Sequence, residues 1–254
     1  LTYGAFDDGL RHAITKLSDF HFVSHKEYKQ RVIQLGENPS RVFNVGALTT
    51  ENIFKIKLYD KNFLIKKFAI PVNKKLALVT FHPVTKNNLD YKYQINNFLH
   101  ALHKVKDYFY IFTYNNTDTL GKNFLKKIKN FIKINNNSKL FKSMGSKIYL
   151  SFVKHVDLVI GNSSSGIYEA PALKTLTLNV GNRQKGRIFP SSVISTKNYP
   201  KEIISKLNKI SQNKIKVNFN NIYYKKNTSK KICSIIKKIT LKKNKPKNFY
   251  DIKF

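Results

Sequence analysis

The feature that most constrains this chain is a regular alternation of short apolar runs with longer amphipathic segments. The apolar runs lie at 75–81 (KLALVTF), 108–114 (YFYIFTY), 157–161 (DLVIG) and 175–181 (TLTLNVG). Apolar residues recur at helical spacing in the intervening segments, and strands separated by helices of about ten to fifteen residues are typical of βαβ units. The sequence therefore predicts an α/β fold with a parallel sheet that helices cover on both faces.

The rest of the chain extends this alternation. We predict further helices at 7–18, 25–36, 90–104, 119–135 and 147–154, one that opens within 162–173, and two lysine-rich helices near the end. Short strands are predicted at 20–24, 41–46, 139–142 and 192–196. Because proline removes a ladder hydrogen bond, the apolar run from 75 should stop at His82-Pro83, which puts His82 at the carboxyl end of a strand.

Three loops are candidate binding loops, because ligands of open α/β sheets bind at the carboxyl ends of the strands. They are the loop that contains His82, the loop 162–166 and the loop 181–187.

Segment 161–171 (GNSSSGIYEAP) leads from a predicted strand into a predicted helix through the residues Ser163, Ser164, Ser165 and Gly166, here called the serine turn. Free N–H groups and the positive helix end make such a turn an anion site, and the hydroxyls add donors. Glu169 lies one turn further along, where its carboxylate can accept hydrogen bonds from both ribose hydroxyls while phosphates occupy the turn. An ordinary serine N-cap with a nearby glutamate fits the same spacing, so both interpretations stay open.

Two of the chain's five arginines, Arg183 and Arg187, fall in the loop GNRQKGR. Two guanidinium groups at the carboxyl end of a strand indicate a fork for phosphate, and a solvent-exposed turn is the alternative. His82 is a candidate general acid, general base or phosphate partner, against the alternative of a structural histidine.

Asp7, Asp8 and Arg11 fall within one predicted helical turn. The default interpretation is a plain helix N-terminus, where the dipole favours acids. A catalytic role would need another carboxylate across a cleft, so that one group acts as acid and the other as base.

The formal net charge of +33 invites a nucleic-acid interpretation. However, 42 of the 47 basic residues are lysines scattered among Asn and Ile, whereas arginine is the side chain that binds phosphates and bases bidentately. A solvated lysine-rich surface is therefore favoured over a specific nucleic-acid face.

The single cysteine, Cys233, excludes an internal disulfide and offers no metal-ligand spacing. No apolar run approaches the roughly 18–20 residues of a membrane span.

Four stretches together resemble the hydrolysing UDP-N-acetylglucosamine 2-epimerases: 11–48 (RHAITKLSDFHFVSHKEYKQRVIQLGENPSRVFNVGAL), 79–85 (VTFHPVT), 155–187 (HVDLVIGNSSSGIYEAPALKTLTLNVGNRQKGR) and 248–254 (NFYDIKF). The resemblance runs over nearly the whole chain. Its most specific parts are the run from Arg11 and the segment that contains the serine turn.

The resemblance implies a GT-B architecture, in which two Rossmann-like domains hold a nucleotide sugar between them. Residues 1–46 would be the end of the N-terminal domain, 47–230 the C-terminal nucleotide-binding domain, and 231–254 a C-terminal helix and tail. Members of the family carry a further N-terminal stretch that ends in a His-Gly-Gly-acid motif. We therefore expect this chain to be an N-terminally truncated form that lacks essential active-site residues.

The resemblance also implies roles for single residues. His82 matches the active-site histidine, Asp7 with Asp8 beside it a catalytic acidic position, and Arg11 a nearby partner. The serine turn would bind the phosphates and Glu169 the ribose, with Arg183 and Arg187 on the side of the pyrophosphate. No cofactor and no metal is implied.

The reaction implied by the resemblance converts UDP-GlcNAc and water into N-acetylmannosamine and UDP. The enzyme removes the proton on carbon 2 and expels UDP, and water then adds to the resulting glycal from the other face. Such chemistry needs an acid and a base across the sugar and a cationic or N–H-rich site for the leaving pyrophosphate.

Two segments depart from the family pattern. Residues 221–227 read NIYYKKN where a proline and a Gly-x-Gly turn are expected, and Tyr114-Asn115-Asn116 replaces a Pro-Asn pair. These loops are expected to be reshaped.

Three other functions stay open. They are the same chemistry on a UDP- or GDP-linked 2,4-diacetamido sugar of the legionaminic type, UDP binding without turnover, and a basic protein that binds nucleic acid. For the full-length enzyme we expect a cytoplasmic homo-oligomer that feeds the synthesis of sialic-acid-like sugars, with neither a membrane nor a specific nucleic acid as partner.

Overall fold

A computed structural model describes residues 8–84, 91–114, 119–240 and 246–252. It divides into two compact units: the larger contains residues 56–220, and the smaller joins residues 8–55 with the described residues from 221 onward. The predicted domain limits lie instead after residues 46 and 230, and the assignment of these segments to two domains of a longer protein stays a prediction.

The elements in chain order are α1 (Asp8–Leu17), β1 (His21–Val23), α2 (Lys26–Gln34), a 3-10 turn (Pro39–Arg41), β2 (Val42–Asn44), α3 (Leu48–Ile53), α4 (Lys61–Phe68), β3 (Lys75–Thr80), α5 (Tyr91–Lys104), β4 (Tyr108–Thr113), α6 (Thr119–Ile134), β5 (Ser138–Phe141), α7 (Gly145–His155), β6 (Leu158–Gly161), α8 (Ser165–Ala172), β7 (Thr177–Val180), β8 (Val193–Thr196), α9 (Pro200–Ser211) and α10 (Thr228–Thr240). Each strand predicted from the sequence is present, although β3 ends two residues before His82.

The larger unit is built on a six-stranded sheet with the order β5-β4-β3-β6-β7-β8, and all its strand pairs are parallel. The chain starts at the centre with β3, adds β4 and β5 on one side, and then crosses to the other side for β6, β7 and β8. This reversal makes the boundary between β3 and β6 a topological switch point, where open sheets bind their ligands. The predicted α/β fold with a parallel sheet is confirmed.

Two apolar layers cover this sheet, and its strands are therefore buried on both faces. Alternate residues of β3 show the division: Ala77 and Val79 pack with α5, α6 and α9, whereas Leu76 and Leu78 pack with α4, α7 and α8. Each layer removes aromatic and branched side chains from water, which is the main favourable contribution to folding. The two faces of the sheet therefore present different helices at its carboxyl edge.

The smaller unit contains the parallel pair β1–β2 with α1, α2, α3 and α10. Its N-terminal and C-terminal segments are joined by hydrogen bonds: Ala47 N donates to Tyr223 O at 2.9 Å, and the hydroxyls of Tyr28 and Tyr223 lie 2.9 Å apart. Tyr223 is fully buried, so the divergent segment 221–227 is part of the packing of this unit. Residues 115 and 116 of the other divergent segment lie outside the described residues.

A buried carboxylate, Glu37, links the C-terminal tail to the N-terminal segment of this unit. Its oxygens lie 2.9 Å from Lys16 Nζ, 2.8 Å from His21 Nε2 and 2.8 Å from Lys247 Nζ, and Glu37 is 1% exposed. Lys247 also donates to the main-chain oxygens of Lys16 and Ser18, near the end of α1. Lys247 therefore caps a helix and neutralises a buried acid with the same ammonium group.

None of the helices within the described ranges is both long enough and apolar enough to span a membrane.

Candidate functional site

The three candidate binding loops lie side by side at the switch point. Thr80 at the end of β3 pairs with Gly161 at the end of β6, and Gly161 pairs with Asn179 of β7. The loops that leave these strands carry His82, the serine turn and Arg183. The prediction that the carboxyl ends of three neighbouring strands collect these residues agrees with the strand order.

Gly161 allows the chain to leave β6 directly against β3. Its φ is +137°, and a Cβ added there would lie 2.0 Å from Thr80 O, which no side chain can tolerate. The next amide, Asn162 N, donates to the same oxygen at 3.1 Å. Glycine is thus required at this position by both its dihedral angle and the close approach of two backbones.

Asn162 holds the three loops together. Its Oδ1 accepts from His82 N at 2.7 Å, and its Nδ2 donates to His82 O at 2.8 Å. Its main-chain oxygen accepts from Arg183 Nη1 at 3.1 Å and from Gln184 Nε2 at 2.8 Å. Asn162 and Gln184 are each 1% exposed, so these bonds are protected from water.

Neither amide is among the site residues predicted from the sequence. The signal for both is their position, because each stands beside the predicted phosphate-binding residues of its own loop. A carboxamide is also a side chain that can bond the N–H and the C=O of one residue at the same time.

At the start of α8 the serine turn makes one weak contact of the capping type, so both interpretations of the turn stay open. The Ser164 side chain makes no capping bond at the start of α8, and Ser165 N reaches Ser163 Oγ at 3.3 Å. Within the described part of the chain, the amides of Ser163 and Ser164 donate to no protein atom. These two N–H groups and the Ser164 hydroxyl, all at the N-terminus of a helix, favour the binding of an anion.

Gly166 has a packing role in this turn. A Cβ at that position would lie 2.6 Å from Thr177 Cγ2, and Gly166 O accepts from Thr177 Oγ1 at 2.9 Å. The glycine therefore brings α8 close to β7 and fixes the start of the helix beside the sheet.

Glu169 lies on α8, one turn beyond the serine turn. Burial raises the pKa of its carboxyl group, and this is opposed by its own backbone amide, the Ser165 hydroxyl and the charge of Arg187. The guanidinium carbon of Arg187 lies 5.5 Å from the centre of the Tyr168 ring, which holds this cation beside α8. The two arginines of the loop thus differ: Arg183 binds the Asn162 junction, and Arg187 lies against α8.

The His82 imidazole is mostly buried at the switch point. Burial lowers its pKa to about 4, with a second contribution from the positive charge of Arg183. His82 is therefore neutral at pH 7, and it can exchange one proton or hydrogen bond there without carrying a permanent charge.

We expect the His82 imidazole to titrate with a midpoint near pH 4 in the folded protein. Because unfolded histidine binds its proton near pH 6.5, stability should fall as the pH is lowered from 6.5 towards 4. Imidazole nitrogen shifts measured by NMR, assigned with a His82→Gln variant, report the midpoint. A midpoint above pH 6 would contradict the burial of this ring.

Asp8 and Arg11 lie on α1 in the smaller unit, and Asp7 lies outside the described residues. Asp8 is buried, with Oδ2 3.7 Å from Nε2 of His12, one turn along α1. Arg11 is exposed. The predicted site residues thus fall into two sets, with His82, the serine turn, Glu169, Arg183 and Arg187 in the larger unit and Asp8 and Arg11 in the smaller.

The chain is similar to known proteins in both sequence and structure. A family model described as UDP-N-acetylglucosamine 2-epimerase matches residues 1–237. The chain is 42% identical over 197 residues to "GDP/UDP-N,N'-diacetylbacillosamine 2-epimerase (hydrolyzing)" of Campylobacter jejuni, which is 77% of this chain and 51% of that protein. It is 39% identical over 257 residues to "Polysialic acid biosynthesis protein P7" of Escherichia coli, which is 99% of this chain and 65% of that protein.

Solved structures share the fold. UDP-GlcNAc 2-epimerase from Neisseria meningitidis, bound to UDP-GlcNAc, matches with a TM-score of 0.77 at 17% identity, over 92% of this chain and 65% of that chain. This likeness confirms the Rossmann-like prediction. The chain spans between half and two thirds of the length of these relatives.

Proposed function

The chain belongs to the UDP-N-acetylglucosamine 2-epimerase family, and from that premise we propose that it forms the nucleotide-binding part of a hydrolysing 2-epimerase. Its substrate is a UDP-linked 2-acetamido sugar, which the Neisseria structure with bound UDP-GlcNAc supports. The observation that carries this proposal is the junction at Asn162, which joins His82, the serine turn and Arg183 at the switch point.

Each predicted site residue of the larger unit has a role in holding the leaving group. The free amides of Ser163 and Ser164 bind the diphosphate, and Arg183 and Arg187 supply positive charge beside it. Glu169 accepts hydrogen bonds from the ribose hydroxyls. His82, neutral at pH 7, donates one hydrogen bond towards the phosphate that departs.

The reaction proceeds in two steps. A base takes the proton from carbon 2 while the bond between carbon 1 and the UDP oxygen breaks, and its electrons leave with UDP. The product is a glycal with a double bond between carbons 1 and 2. Water then adds its hydroxyl to carbon 1 and a proton to carbon 2 from the opposite face, which gives the free sugar with carbon 2 inverted.

Asp7 or Asp8 is the acidic group that this chain contributes, and the partner acids come from a preceding segment of a longer protein. The chain alone therefore binds UDP and turns over little or no substrate. We place the full-length enzyme in the cytoplasm as a homo-oligomer, in the synthesis of sialic-acid-like sugars.

A second substrate is supported by the Campylobacter relative, whose name specifies a diacetamido sugar. The same elimination and hydration serve a 2,4-diacetamido sugar nucleotide, because both steps involve only carbons 1 and 2.

The ribose role of Glu169 is tested with UDP and 2′-deoxy-UDP. We expect the chain to bind UDP about tenfold tighter than the deoxy compound at pH 8, because a charged hydrogen bond contributes on the order of 1.5 kcal/mol. The Glu169→Gln variant should bind both ligands about equally, as measured by calorimetry.

Glu27→Gln is the matched control, because Glu27 is an exposed carboxylate on α2. Equal discrimination against 2′-deoxy-UDP in the wild type and in Glu169→Gln would remove Glu169 from the ribose site. Turnover is tested on a protein extended to the length of the relatives: release of neither UDP nor the epimerised sugar from UDP-GlcNAc or from the diacetamido substrate would refute the proposed function.

A further inference from the structure

The end of the chain lies against the N-terminal segment of the smaller unit. Residues 246–252, here called the tail segment, include most of the stretch NFYDIKF, and the proposed reaction gives them no role. Tyr250 N donates to Gly36 O at 3.0 Å, and the Phe249 ring covers the same glycine, where an added Cβ would lie 2.2 Å from the ring. The tail segment is thus fixed on the turn that follows α2.

Lys247 of the tail segment binds the end of α1. Its ammonium group donates to Lys16 O at 2.6 Å and to Ser18 O at 2.7 Å, and it lies 2.8 Å from the buried carboxylate of Glu37. An ammonium group has three N–H donors, so these three short contacts use its full capacity. Carbonyls at the end of a helix lack partners within the helix and lie at the negative end of its dipole, where a cation is stabilising.

The side chain of Lys16 fixes the same end of α1. Its ammonium group lies 2.9 Å from Glu37 Oε1, donates to Leu35 O at 3.0 Å and lies 5.1 Å from the centre of the Phe249 ring. These partners belong to the segment 35–37 and to the tail segment that lies on it. Because three partners surround one side chain, the side of α1 that carries Lys16 has a fixed direction.

The acid at the start of α1 lies on the same side of the helix as Lys16. Asp8, His12 and Lys16 follow each other at intervals of four residues, and residues i and i+4 lie one above the other on a helix. Asp8 Oδ2 is 3.7 Å from His12 Nε2, which agrees with this row. The large apolar side chains of α1 are exposed, and they are Leu10, Ile14 and Leu17. Within the described part of the chain, the polar row therefore anchors α1 more firmly than the apolar residues do.

The direction of Lys16 thus determines the direction of Asp8. The two residues lie about two helical turns, or about 12 Å, apart along the axis. A rotation of α1 by about 20° would move a carboxylate that lies about 6 Å from the axis by about 2 Å. A displacement of about 1 Å can slow a reaction about a hundredfold, because the reacting atoms must be aligned.

We propose that the tail segment positions the acid of α1 for proton transfer: Lys247 holds the end of the helix and, with Lys16, sets its rotation and so the direction of the acidic group, Asp8 or Asp7 beside it. This inference rests on the proposed function, since it takes this acid to react with the sugar. Lys247 acts through α1 and is therefore a positioning residue. The nucleotide-binding residues belong to the larger unit, so the tail segment should affect turnover and leave the binding of UDP unchanged.

Hydrogen exchange tests the structural part of the proposal on the chain itself. The variant Lys247→Met keeps a long side chain and removes the three donors. We expect the amides of α1 between residues 12 and 17 to exchange at least about tenfold faster than in the wild type, because the loss of hydrogen bonds to the helix end favours its opening. The amides of β3, in the larger unit, should exchange at the wild-type rate.

Turnover is measured on the protein extended to the length of the relatives. Lys247→Met should lower kcat about tenfold or more, while KM for UDP-GlcNAc and Kd for UDP change by less than about twofold. Phe249→Ala is a second variant, which decides the question if Lys247→Met does not fold. It removes the ring beside Lys16 and should lower kcat about threefold, the effect of one exposed cation–π contact. Phe249 is exposed, so this truncation should leave the fold intact.

Two control variants separate position from stability. Lys238→Met removes an exposed lysine of α10, and Ile53→Ala truncates a buried side chain of α3, which destabilises the same unit without removing a contact of α1 described above. Below the unfolding temperature both should keep the wild-type kcat.

A wild-type kcat in either tail variant, wild-type exchange of the α1 amides in Lys247→Met, or an equal loss of kcat in Ile53→Ala would overturn the inference while the proposed function stands. An extended wild type that releases no UDP would refute the proposed function and this inference with it.

Discussion

We expect the Gly161→Ala variant to be destabilised by about 3–5 kcal/mol, because two unfavourable effects combine at that position. Gly161 has a φ of +137°, a backbone angle that residues with a side chain rarely adopt. The new Cβ would also lie 2.0 Å from Thr80 O. Relief requires β6 to move away from β3, and this separates the loops that Asn162 joins. UDP binding should therefore be lost together with stability.

Thermal unfolding and soluble yield measure the first effect, and calorimetry with UDP measures the second. Gly9→Ala is the control, since a Cβ there meets nothing within 4 Å and Gly9 lies in α1, where alanine favours the helix. A Gly161→Ala protein with wild-type stability would mean that β3 and β6 do not approach each other as described.

Replacement of Glu37 by glutamine should cost about 2–3 kcal/mol at pH 7. The carboxylate neutralises Lys16 and Lys247 and accepts from His21, and a neutral amide would leave two ammonium groups without their counter-charge. The cost is at the lower end for a broken buried pair, because Lys16 has a 41% exposed side chain and can turn to solvent.

The same variant has a defined pH dependence. Although burial raises the pKa of Glu37, hydrogen bonds from Lys247, Lys16 and His21 outweigh it and lower the pKa from 4.5 to about 2. The unfolded chain thus binds this proton first, and the stabilisation is lost as the pH falls from 4.5 towards 2. Above pH 5 the wild type should unfold at a higher denaturant concentration than Glu37→Gln. At pH 2 the two midpoints should nearly coincide. The control Glu27→Gln should unfold at the same midpoint as the wild type at every pH. A midpoint difference between wild type and Glu37→Gln that does not change with pH would exclude the Glu37 charge as its cause.

The sheet and the location of the site follow from local sequence patterns. Runs such as KLALVTF are short, apolar and bounded by polar residues, so their strands can be predicted without knowledge of the partners. The carboxyl ends of parallel strands meet at one edge, and therefore the loops of His82 and the serine turn could be predicted to lie together.

Contacts between distant segments could not be predicted in this way. The double hydrogen bond between Asn162 and His82 spans 80 residues, and no local period signals it. A glycine's role cannot be read from the sequence alone. Gly161 permits the close approach of β6 to β3, whereas Gly166 permits α8 to pack closely on β7. The contact between Lys247 and Lys16 spans 231 residues, and only the folded chain brings the two together.

The composition of the smaller unit has a consequence for biosynthesis. Its strands and its buried Glu37 belong to the first part of the chain, whereas Tyr223 and Lys247, which complete its packing, come from the last. The described residues of the larger unit all fall within 56–220, so this unit can fold as soon as residue 220 has left the ribosome. The smaller unit must wait until Tyr223 and Lys247 have also left the ribosome, and until then its buried acid and its aromatic residues lack these partners.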